Sequence, residues 1–268
     1  MLSKNNLYST IFMRKIILES LQPHLKCKKN EVNKAVLLPG DTERADYIGS
    51  SIFKDSVNIS KNREFHIYNG TFENNPLAVC STGIGCMSAA VAMEELIHVG
   101  CKYYIRVGTC GAFSPEIHVG DIIIVTGAVR GDGASREYIP LEYPAVSDFQ
   151  MVNALIQRAI AQKITYHTGI IRTHDAFYME SPFAFGDWKK RTNIWTQGNI
   201  LGVENETSTL LVIGSLKKVR VCSILVVAGH LMTGKKGIKN ELHKSIHVAI
   251  TIAAGALVDI QKEKEIKL

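Results

Sequence analysis

The sequence has few aromatic residues and no long apolar run. Aromatic side chains make up 7% of its 268 residues, and its longest apolar stretches, such as 122–125 and 224–228, are short. A membrane helix needs roughly 20 apolar residues in a row, so these stretches predict no membrane span. With 46% apolar and 21% charged residues, the chain has enough apolar surface to fold, which argues against disorder. Composition therefore predicts one globular domain.

The six cysteines lack the spacing of metal sites. No Cys-x-x-Cys pair occurs, and no histidine follows at zinc-finger spacing. Because most of them lie in apolar runs, we interpret them as reduced core residues. Reduced thiols are typical of a reducing compartment, so we predict a cytoplasmic protein that requires no metal.

The basic residues exceed the acidic ones only slightly and are spread along the chain. There are 31 Lys and Arg against 25 Asp and Glu, which gives a formal net charge of +6. A nucleic-acid binder more often concentrates its basic residues on one helix or arm. The pattern therefore argues against a nucleic-acid partner, and it leaves open a small anionic ligand or plain solubility.

The first 23 residues differ from the rest, because they contain basic residues and no acidic residue before Glu19. Two interpretations are open: an organelle transit peptide, or a helical extension that packs on the body or on a neighbouring subunit. We favour the extension. No repeat or Pro-rich linker follows, so residues 24–268 are expected to form a single domain.

Short apolar runs alternate with segments of helical spacing from residue 35 onward. Continuous runs are typical of strands buried on both faces, and they lie at 35–38, 77–80, 103–107, 122–125, 169–172 and 221–227. Helical spacing occurs at 87–99, 148–162, 208–216 and 242–258. Strands that alternate with helices predict an α/β domain with a largely parallel central sheet, whose strand ends hold the ligand.

Three of the predicted strands carry residues that suit an anionic ligand. The first is followed by Gly40 and Arg44, a loop that can face an anion or start a helix. The second is followed by Gly83 and Gly85, where the backbone can approach a ligand closely. The third contains Arg106, which needs an acidic partner or an anionic ligand when it is buried.

Six short motifs follow one another along the chain: PGD at 39–41, NREF at 62–65, STGIG at 81–85, AMEEL at 92–96, IRVGTCG at 105–111 and GDI at 120–122. In this order they resemble the nucleoside phosphorylase-I family over residues 24–258. That family contains uridine phosphorylases, hexameric-type purine nucleoside phosphorylases and methylthioadenosine nucleosidases. The resemblance implies one α/β domain with a mixed, partly barrel-like central sheet flanked by helices.

The resemblance also implies the partners of the chain. Members of the family form homodimers that share active sites across the interface, and some of them form homohexamers. Their substrates are a nucleoside and inorganic phosphate, which acts as co-substrate, and they need no cofactor. We therefore expect a homodimer as the minimal unit, no cofactor, and no nucleic-acid or membrane partner.

Carried over residue by residue, the resemblance implies a set of site residues. Phosphate is expected at Gly40, Arg44, Arg106 and Thr109, and Arg63 is expected to reach it from the adjacent subunit. Ribose is expected at Thr109, Glu204, Asn205 and Glu206, and at His24 of the neighbour. The base is expected at Cys110, Gly111, Phe177 and Glu204. A monovalent cation between subunits would lie at Glu64, Ile84 and Ser88.

The chemistry of phosphorolysis agrees with these residue types. Phosphate attacks the anomeric carbon while the bond to the base breaks, so the reaction needs no nucleophilic side chain. Guanidinium groups hold and orient phosphate through paired hydrogen bonds. A carboxylate such as Glu206 can bind the ribose hydroxyls and favour positive charge on the sugar. We therefore predict a pentosyltransferase in which Arg106 and Glu206 are catalytic residues.

The residues for the base depart from both main subgroups. Uridine phosphorylases usually carry a Gln and an Arg a few residues after the Phe-Tyr pair, here at 177–178, and this chain has neither. Purine enzymes usually carry an Asp after the late strand, where His230 is the nearest titratable group and becomes the candidate general acid. Asn205 replaces an apolar residue that packs on the ribose.

The flanking motifs favour a uridine phosphorylase that acts in nucleoside salvage. A purine nucleoside phosphorylase acting on inosine or guanosine is the first alternative, because the run at 209–219 resembles protozoan members. A nucleoside-binding paralogue with little turnover is the second alternative, because both base-recognition signatures are missing.

Overall fold

The computed structural model describes residues 21–180 and 184–262. The predicted extension at 1–23 lies almost entirely outside the described residues, so the division into 1–23 and 24–268 stays a prediction. Leu25 and Cys27, near the start of the described chain, are fully buried in the core. The folded body therefore includes residue 25.

The described residues form ten strands and seven α-helices. The strands are β1 (Ala35–Leu38), β2 (Lys54–Asn62), β3 (Phe65–Phe72), β4 (Asn75–Cys80), β5 (Tyr103–Ala112), β6 (Ile122–Gly131), β7 (Ala145–Val146), β8 (Tyr166–His174), β9 (Gly202–Glu204) and β10 (Arg220–His230). The helices are α1 (Thr42–Tyr47), α2 (Cys86–Val99), α3 (Ala134–Tyr138), α4 (Phe149–Ala161), α5 (Trp188–Gln197), α6 (Thr207–Lys217) and α7 (Lys239–Lys262). A π-helical turn, Ile48–Ile52, continues α1.

Five of the strands close into a barrel. β10 pairs with β6, β6 with β8, β8 with β9 and β9 with β5, and β5 pairs back with β10. From β5 the sheet continues outward through β1, β4, β3 and β2. Because β6 runs antiparallel to β10 and β3 antiparallel to both β2 and β4, the sheet is mixed. The predicted mixed, partly barrel-like sheet is confirmed, whereas the expectation of a largely parallel sheet was too simple.

The local pattern identified the elements with long apolar runs or helical spacing and missed the exposed and the very short ones. All six apolar runs form strands, and the four segments of helical spacing form α2, α4, α6 and α7. The prediction missed four strands: β2, whose first five residues are exposed, its partner β3, and the short strands β7 and β9, of two and three residues. An exposed strand carries no continuous apolar run, because water covers at least one of its faces.

Two buried clusters fill the two faces of the sheet. One packs α4 and α7 against the sheet, and the other packs α2 and α6 against its opposite face. Along β1, Ala35 and Leu37 belong to the first cluster, while Val36 and Leu38 belong to the second. This alternation follows from the period of two in a strand and explains why β1 is apolar throughout.

The last helix, α7, is long and apolar enough to cross a membrane by length and composition alone. The sequence analysis expected no such segment. In the structure, 56% of its most apolar stretch is buried, and Ala253, Leu257 and Val258 pack in the same cluster as α4. Packing against the sheet therefore accounts for the apolar composition of this helix.

Asp132 connects the end of β6 to the first turn of α6. Its buried carboxylate accepts hydrogen bonds from the Ser135 N–H at 2.6 Å, from the Thr209 hydroxyl at 2.8 Å and from the Ser208 hydroxyl. Burial raises the pKa of Asp132, but these hydrogen bonds outweigh it and hold the pKa below its usual value. The network fixes the start of α6, directly after Glu206.

Asp132→Asn should lower the free energy of unfolding by about 1–3 kcal/mol at neutral pH, because an amide cannot satisfy all of these donors. The pKa of Asp132 is lower in the folded chain than in the unfolded chain. Its stabilising effect is therefore complete above about pH 4 and is lost as the pH falls through the folded pKa.

Denaturant unfolding at neutral pH and at about pH 3 measures this difference. The gap between the wild type and the variant should shrink at the lower pH. Asp55→Asn, at an exposed residue, is the control and should leave stability unchanged at both pH values. A gap that stayed constant with pH would contradict the charged-carboxylate account.

Candidate active site

Arg106 lies on β5, buried between two carboxylates. Its Nε donates to Glu204 Oε2 at 2.9 Å, and its Nη2 is paired with Glu206 Oε2. Burial lowers the pKa of Arg106, but Glu206 and Glu204 outweigh that effect and raise the pKa above its usual value. The guanidinium therefore stays charged. We refer to Arg106, Glu204 and Glu206 as the Arg106 cluster.

Glu204 lies at the end of β9, and both oxygens of its carboxylate accept hydrogen bonds from within the chain. Besides Arg106, it accepts hydrogen bonds from the Thr173 hydroxyl at 2.5 Å and from the backbone N–H groups of Glu206 at 2.9 Å and Thr207 at 3.0 Å. These contacts indicate that Glu204 positions Arg106 and the first turn of α6. Its predicted contacts with ribose and base stay predictions, and the internal bonds do not favour them.

Glu206 connects Arg106 to the glycine loop that follows β4. Its Oε1 accepts the Gly85 N–H at 2.6 Å, while its Oε2 faces the Arg106 guanidinium. Burial raises the pKa of Glu206, and the charge of Arg106 opposes that shift. Gly85 has a φ of +96°, a conformation that favours glycine and brings its N–H to the carboxylate.

One nitrogen of the Arg106 guanidinium is left without a partner. Nη1 is buried and makes no hydrogen bond within the described residues. A Cβ added at Gly40 would lie 3.9 Å from this nitrogen and 3.3 Å from the Gly83 carbonyl oxygen. The glycine after β1 therefore keeps the space beside Nη1 free of a side chain. Because buried donors are nearly always satisfied, this donor indicates an anionic ligand.

Arg44, on α1, is a second guanidinium near this space. Its Nη1 donates to the Val107 carbonyl at 3.1 Å. Burial lowers the pKa of Arg44, Asp41 opposes it, and the charge of Arg106 acts in the same direction as burial. The helix interpretation of this loop is therefore confirmed, because Thr42–Tyr47 form α1. The charge of Arg106 also reaches Arg44, and binding of an anion by this loop stays a prediction.

The remaining predicted phosphate and base residues lie further along β5. Thr109 is half-buried, and Cys110 and Gly111 follow it directly. Burial raises the pKa of the Cys110 thiol well above its usual value, so this side chain is an apolar surface rather than a nucleophile. Phe177 follows β8 and is 61% exposed. The contacts of these residues with a substrate stay predictions.

Comparison with known proteins shows which family the chain belongs to. A family model described as the phosphorylase superfamily matches residues 34–261. The chain belongs to the phosphorylase superfamily. A guanosine phosphorylase from Halorubrum lacusprofundi is 38% identical to it over 80% of this chain and 86% of the relative. A uridine phosphorylase from Treponema pallidum is 35% identical over 87% of this chain and 92% of the relative.

A solved structure agrees with the assignment. The uridine phosphorylase from Vibrio fischeri ES114 superposes on this phosphorylase with a TM-score of 0.82 and 30% sequence identity, over 90% of this chain and 98% of that chain. The predicted family and the predicted fold type are both confirmed.

His24 and Arg63 lie apart from the Arg106 cluster in this phosphorylase chain. The His24 Nδ1 is 2.6 Å from Glu95 Oε1. Arg63 occupies the turn between β2 and β3 with an exposed side chain. Within the described chain, neither side chain hydrogen-bonds to the cluster, as expected if they serve an adjacent subunit. Their contacts with phosphate and ribose stay predictions.

The residues of the predicted cation site are partly brought together. The Ser88 Oγ lies 3.0 Å from Glu64 Oε1 and 2.6 Å from the Thr82 carbonyl oxygen. Ile84, in contrast, is 80% exposed. The described part of the chain contains no group of three or more His, Cys, Asp or Glu side chains that could hold a metal. The monovalent cation stays a prediction.

His230 has protein partners at both ring nitrogens. Its Nδ1 accepts the Thr233 N–H at 3.3 Å, so its Nε2 carries the proton and donates to the Ser114 carbonyl at 3.1 Å. These contacts hold the turn after β10. The predicted role of His230 as a general acid therefore finds no support in the geometry, because no ring nitrogen is left for the base.

Asn205, in the predicted ribose set, also faces the protein. Its Nδ2 donates to the His174 carbonyl oxygen, and the residue is buried between β9 and α6. The amide thus anchors the end of β8. A contact of Asn205 with ribose stays a prediction.

The sequence analysis missed a buried cluster at the end of β8. Arg172 is paired through Nη1 with Glu180 Oε1, and its guanidinium carbon lies 4.5 Å from the centre of the Trp195 ring. Burial raises the pKa of Glu180, which Arg172 opposes. Burial and the charge of Arg172 lower the pKa of His174 to about 4. One signal was present: Arg172 lies in an apolar run and needed a partner, as Arg106 did.

Proposed function

We propose that this chain is a nucleoside phosphorylase, a pentosyltransferase that converts a ribonucleoside and inorganic phosphate to a free base and ribose 1-phosphate. Its preferred substrate is proposed to be uridine. The observation that carries the proposal is the unpartnered, buried Nη1 of Arg106 beside Gly40, with the Glu206 carboxylate on the same guanidinium. The uridine phosphorylases among its relatives support the choice of substrate.

In the proposed reaction, Arg106 Nη1 binds one oxygen of phosphate and Arg44 adds a second positive charge. A phosphate oxygen forms the new bond to the anomeric carbon as the bond from that carbon to the base breaks. The electron pair of the broken bond leaves with the base, and the base takes up the proton that the attacking hydrogen phosphate releases. Glu206 binds the ribose hydroxyls and stabilises the positive charge that develops on the sugar. Phosphate is the nucleophile, so no cofactor takes part in this scheme.

A purine nucleoside phosphorylase is the second candidate. The guanosine phosphorylase from Halorubrum lacusprofundi, at 38% identity, is the specific observation that favours it. Both candidates share the phosphate and ribose chemistry and differ only in the base that the pocket accepts. A cytoplasmic location and a role in nucleoside salvage stay predictions under either candidate.

The purified protein should release uracil and ribose 1-phosphate from uridine only when phosphate is present. Turnover is measured with uridine, thymidine, inosine, guanosine, adenosine and cytidine, with and without phosphate. Arg106→Lys should lower kcat/KM for phosphate about 100-fold or more, because an ammonium cannot replace the guanidinium fork. Arg158→Lys, on an ion pair with Glu73 and Asp259, is the matched control and should leave kcat/KM unchanged.

Turnover confined to inosine and guanosine would reject the uridine phosphorylase and support the purine nucleoside phosphorylase. Turnover that persists without phosphate would indicate a hydrolytic nucleosidase. Nucleoside binding without turnover would indicate the binding paralogue. Unchanged phosphate kinetics in Arg106→Lys would show that phosphate binds elsewhere.

The active site is proposed to be completed by a second copy of the chain. Arg44 and Arg106 carry two positive charges, which Glu204 and Glu206 balance, so bound phosphate needs a further cation. Arg63 of an adjacent subunit would supply it. A cavity of about 940 Å³ opens beside His24 and is lined by Ile84 and Met87, which are 80% and 78% exposed. Exposed apolar side chains of this kind support an interface here.

Mixing two inactive variants tests the shared site. Arg63→Ala and Arg106→Ala should each be inactive alone, because each removes one phosphate ligand from both sites of the dimer. When they are refolded together, heterodimers contain one intact site, so the mixture should recover about one quarter of wild-type activity. A mixture that stays as inactive as its parents would contradict the contribution of Arg63 across subunits.

A further inference from the structure

The Arg172–Glu180 ion pair is buried at the end of β8. The side chains are 15% and 5% exposed, and Nη1 of Arg172 contacts Oε1 of Glu180. Trp195 covers one face of the guanidinium, with its ring centre 4.5 Å from Cζ. The pair is therefore largely sheltered from water, with His174 and Arg191 as further polar neighbours.

Two polar atoms of this pair have no hydrogen-bond partner in the described chain. They are Nε of Arg172, which is a donor, and Oε2 of Glu180, which is an acceptor. His174 Nε2 lies 4.0 Å from Glu180 Oε2, which is too far for a hydrogen bond. Burial raises the pKa of Glu180, and Trp195, which also faces this carboxylate, lowers it. Buried polar atoms without partners are rare and costly, so a donor and an acceptor on one ion pair indicate a ligand that offers both.

The pair lies at the same end of the barrel as the Arg106 cluster, although the Arg172 side chain leaves the face of β8 opposite to that of Thr173. His174 follows Thr173, whose hydroxyl donates to Glu204 of that cluster. The backbone of His174 is held by the Asn205 amide, directly before Glu206. Glu180 also follows the predicted base residue Phe177 by three positions. These contacts place the two unpartnered atoms at the end of the barrel where a base attached to the ribose is proposed to lie.

We propose that Glu180 and Arg172 recognise the base, with Glu180 Oε2 accepting a ring N–H and Arg172 Nε donating to the neighbouring carbonyl oxygen. This inference rests on the proposed function. The edge they fit is an N–H beside a C=O, which uracil, hypoxanthine and guanine share. In cytidine and adenosine the corresponding ring nitrogen carries no proton and is a hydrogen-bond acceptor. It would face the Glu180 carboxylate, which is also an acceptor, with no proton to share.

The pair thus supplies the base recognition that the missing Gln and Arg of the uridine phosphorylases leave unassigned. A site of this kind would accept both uridine and guanosine, because both bases carry the same edge. Since a buried site rejects a base that leaves its polar groups unpaired, the expected discrimination against adenine and cytosine is strong. The pair does not separate uracil from the larger 6-oxopurines.

Glu180→Gln tests this assignment with little change in shape. The amide can keep its oxygen on Arg172, which places an N–H donor where the Oε2 acceptor was. Values of kcat/KM for uridine, inosine and guanosine should fall about 10- to 100-fold, the effect expected for a hydrogen bond to a charged group. Those for cytidine and adenosine should stay unchanged or rise, because their ring nitrogens can accept from the amide.

Two further variants separate recognition from folding. Arg172→Lys keeps a charge for Glu180 but removes Nε, and it should produce the same selective loss. Glu73→Gln breaks a comparable contact with Arg158 on an exposed surface and should leave nucleoside preference unchanged. Equal losses for all nucleosides in Glu180→Gln and Arg172→Lys, or no loss, would overturn the proposal and reduce the pair to a structural ion pair.

Equilibrium dialysis of free bases distinguishes this inference from the proposed function. The wild type should bind hypoxanthine, with its N1–H beside a carbonyl, more tightly than adenine, which has no carbonyl, and Glu180→Gln should lose that preference. One outcome is a wild type that turns over no nucleoside and yet shows this preference, with Glu180→Gln losing it. That result would reject the proposed phosphorylase activity and support the base assignment. A wild type that turns over nucleosides without any preference between these edges overturns the base assignment alone.

Discussion

The buried ion pairs of Arg106 with Glu204 and Glu206 are the interaction on which the rest of the site depends. They join β5, the end of β9 and the residue before α6, which come from three distant parts of the chain. Breaking a buried pair leaves an uncompensated charge, so the three elements are held in one arrangement. The Asp132 network fixes α6 from the other side, and Gly85 fixes the orientation of Glu206. Among the residues that the structure describes, Nη1 of Arg106 has no partner, and that donor is where phosphate is proposed to bind.

The sequence predicted those parts of the fold in which burial produces a local pattern of apolar residues. β1 and β10 are buried and are therefore continuous apolar runs in the sequence. In α6, residues 207–214 are all buried because the helix packs between the sheet and α2. β2 faces water and β9 is too short for any period, so neither produced a signal. Closure of the barrel depends on β10 pairing with both β5 and β6, strands about 100 residues away in sequence, which no local pattern encodes.

The site was predictable to the extent that its motifs are contiguous. Gly40, Arg44, Arg106 and Glu206 were identified from short runs, and the structure brings them together. The internal role of Glu204 was not, because it depends on Thr173 and on backbone N–H groups from another element. The Arg172–Glu180 pair was missed because its two members are separated by the end of β8, and His230 was overvalued because its backbone partners Ser114 and Thr233 leave no signal in sequence.

The central claim is that Nη1 of Arg106 is the phosphate site, and a crystal structure of the protein grown with inorganic phosphate tests it most directly. The account predicts a phosphate oxygen within about 2.7–3.2 Å of Arg106 Nη1, next to Gly40 and with the Glu204 and Glu206 pairs intact. Phosphate bound elsewhere, or Nη1 satisfied by a group of the protein with no anion beside Gly40, would contradict it.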